Sequence, residues 1–390
     1  MERIPRRVWA RRTLAAVPPV AVLLLLGVAV SATVLVPEVR RLVSPTATSV
    51  SASSSGGVVR AAAAVLRVTG TDSFQALSPA LVTVDAESAG ESEARRGGGF
   101  IWDNAGHIVT SANLVRGSQT VNVTLHGGIR VSATVQAVDD HSDLAVLNLS
   151  EALVPLATLP LGESDRVAVG DPVMLFDPSG RQKVYRGTIQ AVGKLLPIGA
   201  VIADGAQYSI PDIIATDLRA DDVRIGAPLF NSRGEVIGLS LPITTTGKAY
   251  AVPVSLMQRV IPALISRGAY DHPWLGLSGR TVTPELADAL GLPVGQGVLI
   301  LTILPNSPAA AAGLRPGNAM IQFGNELLRV GGDVIVSVDG RPMPNTNALV
   351  THIARHGTAG KPVTLEIIRD GRSQTVTVIL GTRPAIPILD

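Results

Sequence analysis

The sequence predicts a mainly β protein: a barrel or sandwich of short strands, followed by a smaller α+β module and preceded by a membrane-spanning helix. Three observations carry this expectation. Between residues 78 and 266, short apolar, β-branched runs such as ALVTVDA, GHIVTSA, LAVLNL and EVIGLSL are broken by Gly, Asp and Pro, as strands separated by turns would be. From residue 271 onward, strand-like runs alternate with a helical pattern and a hairpin signal. An uncharged apolar stretch at 14–36 has 23 residues, where a bilayer-spanning helix needs about 20.

Composition narrows the functions that remain. Hydrophobic types make up 46% of the 390 residues but aromatics only 3%, so the core is expected to be built from Val, Leu, Ile and Ala, with Gly and Pro supplying many turns. The 33 basic and 31 acidic residues leave a net charge of +2 without long runs, which argues against a nucleic-acid partner. The absence of cysteine removes disulfides, thiol nucleophiles and thiolate metal sites, and the six histidines lack HExxH-type spacing. No metal and no other cofactor is expected.

The elements follow in order. Arg3, Arg6, Arg7, Arg11 and Arg12 precede the apolar stretch, so residues 1–13 are expected in the cytoplasm, 14–36 in the membrane as a single-pass anchor, and the remainder outside. A cleaved signal peptide competes, through the small residues Val30-Ser31-Ala32, but the stretch exceeds the ~7 to 15 apolar residues of such peptides. Residues 37–77, with their run SPTATSVSASSSGG, read as a flexible linker. The strand-rich domain covers 78–266 and closes on a short helix near 257–266. Within it, Arg95-Arg96-Gly97-Gly98-Gly99 reads as a turn, not a phosphate loop, because it does not open a helix after a strand. The second module covers 271–383. Strands are expected at 297–303, 333–338, 363–368 and 375–380, the last two joined by Asp370-Gly371, with a helix at 346–356.

Several motifs, in their order and spacing, carry a resemblance. They are Gly97-Gly98-Gly99-Phe100-Ile101 with Asp103 and Gly106, Ser142-Asp143-Leu144-Ala145-Val146-Leu147, Leu161-Gly162-Glu163-Ser164-Asp165, Asn231-Ser232-Arg233-Gly234-Glu235-Val236-Ile237-Gly238, Tyr250-Ala251-Val252-Pro253 and Pro273-Trp274-Leu275-Gly276-Leu277. Over residues 78–383 the chain resembles the HtrA (Deg) family of trypsin-like serine proteases with a C-terminal PDZ domain. The resemblance implies a trypsin-like double β-barrel at 78–266, a PDZ domain at 271–383 and extracytoplasmic work in protein quality control. It also implies a trimer, of this chain alone or mixed with related proteases.

The family's chemistry needs a serine hydroxyl, an imidazole to take its proton and a carboxylate to orient the imidazole. By resemblance, the histidine position in Thr110-Ser111-Ala112-Asn113-Leu114-Val115 is Asn113, whose amide has no useful basicity. The aspartate is kept as Asp143, for which a structural role is expected, holding backbone or the Asn113 amide. With Gly226, Pro228 and Leu229 fixing the frame after Thr216-Asp217, the serine position is Ile225, a hydrocarbon. Val223 and Arg224 occupy the oxyanion loop, where a β-branched residue resists unusual backbone angles. The expectation is a pseudoprotease that binds peptide C-termini or unfolded proteins at the outer face of a membrane. The alternative is an active endopeptidase with relocated groups, drawn from His107, His141 and Ser111. Trp274, Leu275, Gly276 and Leu277 are implied as the loop that offers N–H groups to a peptide's terminal carboxylate. His352 and His356 lack a third ligand and read as surface or groove positions. Residues 318–332 resemble an extra hairpin found in part of the family.

Overall fold

The computed structural model describes residues 76–87, 94–150, 156–176, 183–201, 207–243 and 247–385. The expected anchor at 14–36 and nearly all of the expected linker lie outside them. Among the described residues, no helix is long and apolar enough to cross a membrane.

Six antiparallel strands close a first barrel: β1 (Leu81–Ala86), β2 (Arg95–Ile101), β3 (His107–Ser111), β4 (Thr120–Thr124), β5 (Arg130–Asp139) and β6 (Leu144–Leu149). A one-turn helix, α1 (Ala112–Val115), leaves β3 directly. Alternate residues such as Val82, Val84, Ala145 and Leu147 fill the barrel, as the two-residue side-chain period requires. Their neighbours Leu81, Phe100, Val109 and Val146 are buried on the other face, in a cluster shared with the second barrel. Burial on both faces is why these strands read as unbroken apolar runs.

One expectation is corrected here. Gly97, Gly98 and Gly99 lie inside β2 and not in a turn. A Cβ on Gly97 would stand 2.6 Å from the Ile225 carbonyl oxygen, and one on Gly98 would stand 3.0 Å from the Ala227 Cα. Gly97 and Gly98 are glycine because the backbone leading into the second barrel approaches closer than a side chain permits, and at Gly99 a Cβ would stand 2.9 Å from the Val109 carbonyl oxygen of the neighbouring strand.

The second barrel is made of β7 (Pro172–Phe176), β8 (Val184–Val201), β9 (Gln207–Arg219), β10 (Pro228–Asn231), β11 (Val236–Ile243) and β12 (Lys248–Pro253), in the order β10-β11-β12-β9-β8-β7 and closed through β7 and β10. From β12 the chain enters α2 (Val254–Arg267), which ends at Gly268 in the left-handed conformation (φ 75°). Val254, Met257, Val260, Ile261 and Leu264 pack into the cluster between the barrels. The helix starts three residues before the expected 257 because Val254 belongs to its apolar face, while the sequence presents it as the end of a strand-like run.

The C-terminal module contains β13 (Pro273–Trp274), β14 (Leu277–Val282), α3 (Pro284–Leu290), β15 (Gly297–Ile303), α4 (Pro308–Ala311), β16 (Ala319–Phe323), β17 (Glu326–Val330), β18 (Val334–Val338), β19 (Arg341–Pro342), α5 (Thr346–His356), β20 (Pro362–Arg369), β21 (Arg372–Ile379) and β22 (Gly381–Thr382). Its main sheet runs β14-β15-β18-β20-β21, so β14 is an edge strand. The turn at Asp370 (φ 51°) and Gly371 (φ 74°) has the two positive φ angles of a tight hairpin. The hairpin β16–β17 occupies the expected extra segment, and α3 is a helix with no counterpart in the sequence reading.

The module is tied to the second barrel through α5. The Arg355 guanidinium donates through Nε and Nη2 to both Asp212 oxygens, at 2.6 and 2.5 Å. Arg259 Nη1 donates to the Arg355 carbonyl at 2.6 Å and to the Ala354 carbonyl. The tie to the first barrel is His272, whose Nε2 lies 2.8 Å from Asp139 Oδ2, both side chains being buried.

Candidate functional site

The residues expected from sequence fall into two places. Asn113 and Asp143 are joined by a hydrogen bond beside α1, Ile225 packs against the first barrel from across the seam, Val223 is buried in the second-barrel core, and Arg224 between them is exposed. Trp274, Leu275, Gly276 and Leu277 form one end of a separate groove.

At the seam, Asp143 is the last residue of the turn into β6, with φ 56°, and its carboxylate is buried. Ser111 Oγ donates to Oδ2 at 2.6 Å, and the Asn113 backbone N–H donates to Oδ1 at 2.8 Å. These two bonds tie the carboxylate to the end of β3 and to the backbone of α1. Burial pushes the Asp143 carboxyl up to about 6; those two hydrogen bonds and the more distant Arg116 only partly offset the loss of water. The Asn113 side chain is exposed, and Arg95 Nη1 donates to the Asn113 carbonyl at 2.7 Å.

Ile225 is half-buried and packs on the core of the first barrel. Its carbonyl accepts the Gly98 N–H at 2.8 Å. Val223 has extended backbone, φ −107° and ψ 130°, and its N–H donates to the Ala220 carbonyl at 3.2 Å. That donor is turned into its own 3₁₀ turn. Ser240 braces the rest of the loop: Oγ donates to the Arg224 carbonyl at 2.5 Å and accepts the Ala227 N–H at 3.0 Å. The Gly226 N–H goes to the Ser240 carbonyl at 2.9 Å. Gly226 itself has φ 78°, and a Cβ there would stand 2.6 Å from Thr110 Oγ1. The loop is thus fixed by internal hydrogen bonds, and the side chain it presents at the seam is the alkyl group of Ile225.

The reserve candidates have separate partners. His107 Nδ1 lies 2.8 Å from Asp103 Oδ2, in the turn before β3. His141 is buried with its ring edge-on to His272, centroids 5.1 Å apart. Burial, with Arg383 and His272 nearby, pushes the His141 imidazole down to about 4. Burial would raise Asp139, but its hydrogen bonds to His272 and Ser142 hold it below its ordinary value.

The groove lies between β14 and α5, with a volume of about 540 Å³. One wall carries Trp274, Leu275, Gly276 and Leu277; the other carries Leu349, Val350 and Ile353. The Leu275 and Gly276 carbonyls accept the Ala309 and Leu304 N–H groups, each at 2.9 Å. Since C=O and N–H point oppositely across a trans peptide, the Gly276 and Leu277 N–H groups face the groove. The register agrees: the Leu304-to-Gly276 bond makes Leu277 and Ile303 a non-hydrogen-bonded pair, so the Leu277 N–H points away from β15. Gly276 has φ 79°, and a Cβ there would meet Ser307, so only glycine forms this loop.

The sequence reading missed the remaining lining. Leu195, Ser209 and Pro211 of the second barrel and Arg383 and Pro384 beyond β22 also border the groove. The one available signal was Asp212, a lone acid in the apolar run SIPDIIAT, because a carboxylate inside a strand requires a partner.

Comparison with known proteins bears on this architecture. Residues 97–239 match the trypsin-like peptidase domain and residues 273–380 the PDZ domain. The chain is 32% identical over 301 residues to the putative serine protease HhoA of Synechocystis sp., covering 73% of this chain and 70% of that protein. It belongs to the HtrA (Deg) family. A probable periplasmic serine endoprotease, DegP-like, of Halomonas elongata is 33% identical over 304 residues, which is 76% of this chain. The chain spans a little over half of that relative, 58% of its length. The solved HtrA-type protease AlgW with tripeptide superposes with a TM-score of 0.63 at 26% identity, covering 81% of this chain and 98% of AlgW. The fold is that of the HtrA family: a mainly β, trypsin-like double barrel followed by a PDZ domain.

Proposed function

We propose that this chain is a non-cleaving HtrA homologue that binds peptide C-termini in its PDZ groove. The observation that carries the reading is the seam. Ile225 and Asn113 stand at the positions matched to the nucleophile and its base, and the Val223 N–H is spent on Ala220. Neither of those two positions carries a hydroxyl or an imidazole, and the loop donor that would stabilise an oxyanion faces elsewhere. The groove supports the second half of the reading. Two N–H groups face it beside an edge strand, which suits a peptide added as a further strand with its carboxylate at the loop.

The chain acts outside the cytoplasm, held by the apolar stretch at 14–36, on unfolded proteins or exposed C-termini, as a trimer of its own or with related proteases. The location rests on the arginine-flanked stretch and on the periplasmic naming of relatives such as the Halomonas protein.

The test is incubation of the full-length protein in detergent with unfolded casein and a fluorophosphonate probe. No cleavage and no labelling are expected. Cleavage lost in Asp143→Ala and also in a variant of His107, His141 or Ser111 would establish the alternative, an endopeptidase with a relocated triad. For the groove, a peptide with a free C-terminus should bind much more tightly than its amide, and equal affinities would refute carboxylate capture.

A further inference from the structure

Helix α5 borders two grooves of opposite character. Its Leu349, Val350 and Ile353 face the apolar peptide groove, while Ala348, Thr351, His352 and Arg355 line a second, polar groove of about 500 Å³ against Gly193 and Lys194 of β8 and Arg341. The split follows the helical period, since 349, 350 and 353 fall on one face and 348, 351, 352 and 355 on the other.

We propose that this second groove is a binding site for a phosphate group, held between Lys194 and Arg341 and completed by His352 and His356. Lys194 and Arg341 form no ion pair among the described residues, although both line the same cavity. Arg355, by contrast, is engaged by Asp212 at 2.5 Å and Asp165 at 3.6 Å, so it contributes little free charge. Asp165 and Asp212 face Arg355, and Asp339, whose Oδ1 accepts the Thr364 N–H at 2.8 Å, does not line the groove. Among the described residues no acidic side chain lines the groove, so Lys194 and Arg341 leave the lining net positive.

The two imidazoles report that charge. His352 and His356 lie with ring centroids 4.8 Å apart. His352 is pushed below its ordinary value by burial, then by His356 and Arg341, against an opposing Asp339. His356 is pushed down by burial, then by Arg341, Arg355 and Arg259, against Asp165. An anion in the groove reverses the cationic part of this effect and favours imidazolium, so binding takes up a proton and tightens as pH falls. The neutral donors suit a tetrahedral oxyanion. Asn345 and Asn347 border the groove, and because Asn345 Oδ1 already accepts the Ala348 N–H at 2.8 Å, its amide N–H₂ is left to donate. A phosphate dianion can use two cations and these amides together, which a single carboxylate cannot.

The experiment follows the histidine side-chain NMR signals of the full-length protein in detergent. It is titrated with inorganic phosphate, with dihexanoyl phosphatidic acid, and with sodium chloride at matched ionic strength. Saturable shifts of His352 and His356, with both titration midpoints raised, are expected for phosphate or phosphatidate but not for chloride. Phosphatidate binding more tightly than phosphate assigns the group to a lipid headgroup, and equal binding assigns it to free phosphate. Arg341→Gln and Lys194→Gln should each weaken binding roughly tenfold, the scale of one charge-assisted hydrogen bond. Arg280→Gln, an exposed cation paired with Glu326 elsewhere in the PDZ domain, should leave it unchanged. Shifts no larger than those from chloride with either probe, or full binding by both groove variants, would overturn the proposal.

Discussion

Replacing Asp143 with Asn should stabilise the protein above pH 7. In a working triad the carboxylate orients an imidazole, but here it is buried among Ser111, the Asn113 backbone N–H and a distant Arg116. Its carboxyl moves from an ordinary 3.8 up to about 6, so the folded state holds a proton that the unfolded chain releases. The sign follows: stability contributed by the protonated form is complete below pH ~4 and is lost as pH rises through 6. The full gap corresponds to about 3 kcal/mol, at 1.36 kcal/mol per tenfold, and relaxation around the carboxylate makes this an upper figure. Asparagine keeps the geometry: its Oδ1 accepts the Asn113 N–H, its Nδ2 can donate to the Ser111 hydroxyl oxygen, and Asn tolerates the left-handed φ of 56°. Urea unfolding of wild type and Asp143→Asn between pH 4 and 8 measures the effect. The variant should gain about 1 to 3 kcal/mol at pH 8 relative to pH 4. A loss at pH 8 comparable with that at pH 4 would refute the reasoning and indicate that the ionised carboxylate is well satisfied.

Three further outcomes follow from the structure. Ile225→Ser should lower stability by about 1 to 2 kcal/mol, since a half-buried side chain leaves the first-barrel core, and should produce no fluorophosphonate labelling; robust labelling would mean the seam retains a working oxyanion donor. Arg355→Ala should cost about 3 to 5 kcal/mol because it strands Asp212, which is 1% exposed, and the double variant with Asp212→Ala should cost less than the two single losses added; strict additivity in urea unfolding would argue against a coupled pair. His141 has its imidazole pushed down to about 4, so its neutral form stabilises the fold fully above pH ~6.5 and that contribution is lost as pH falls toward 4; His141→Gln should flatten this acid limb, and an unchanged limb would exclude His141 as its source.

The fold was legible because its periodicities were local. Strands at 297–303, helix α5 and the Asp370-Gly371 hairpin depend on alternation, a 3.6-residue face and two positive φ angles, all written in neighbouring residues. Gly97 and Gly98 of β2 were not, because what forbids a side chain there is backbone at Ile225 and Ala227, more than a hundred residues away. Composition alone made Gly97-Gly98-Gly99 look like a turn; the close approach of Ile225 and Ala227 makes it a strand.

The same distinction governs the sites. Ile225 and Asn113 are placed by motif frames alone, and a hydrocarbon or an amide has its chemistry wherever it folds. The fate of the Val223 N–H could not, since a hydrogen bond to Ala220 depends on how the loop turns and not on which residue stands there. In the PDZ groove, the loop residues carry their own signature in Gly276, yet the wall from Leu195, Ser209 and Pro211 is brought there by long-range contacts, those that dock α5 through Arg355 and Arg259 and that of Arg383 with the Ser209 carbonyl. That docking places one helix between an apolar groove and a cationic one.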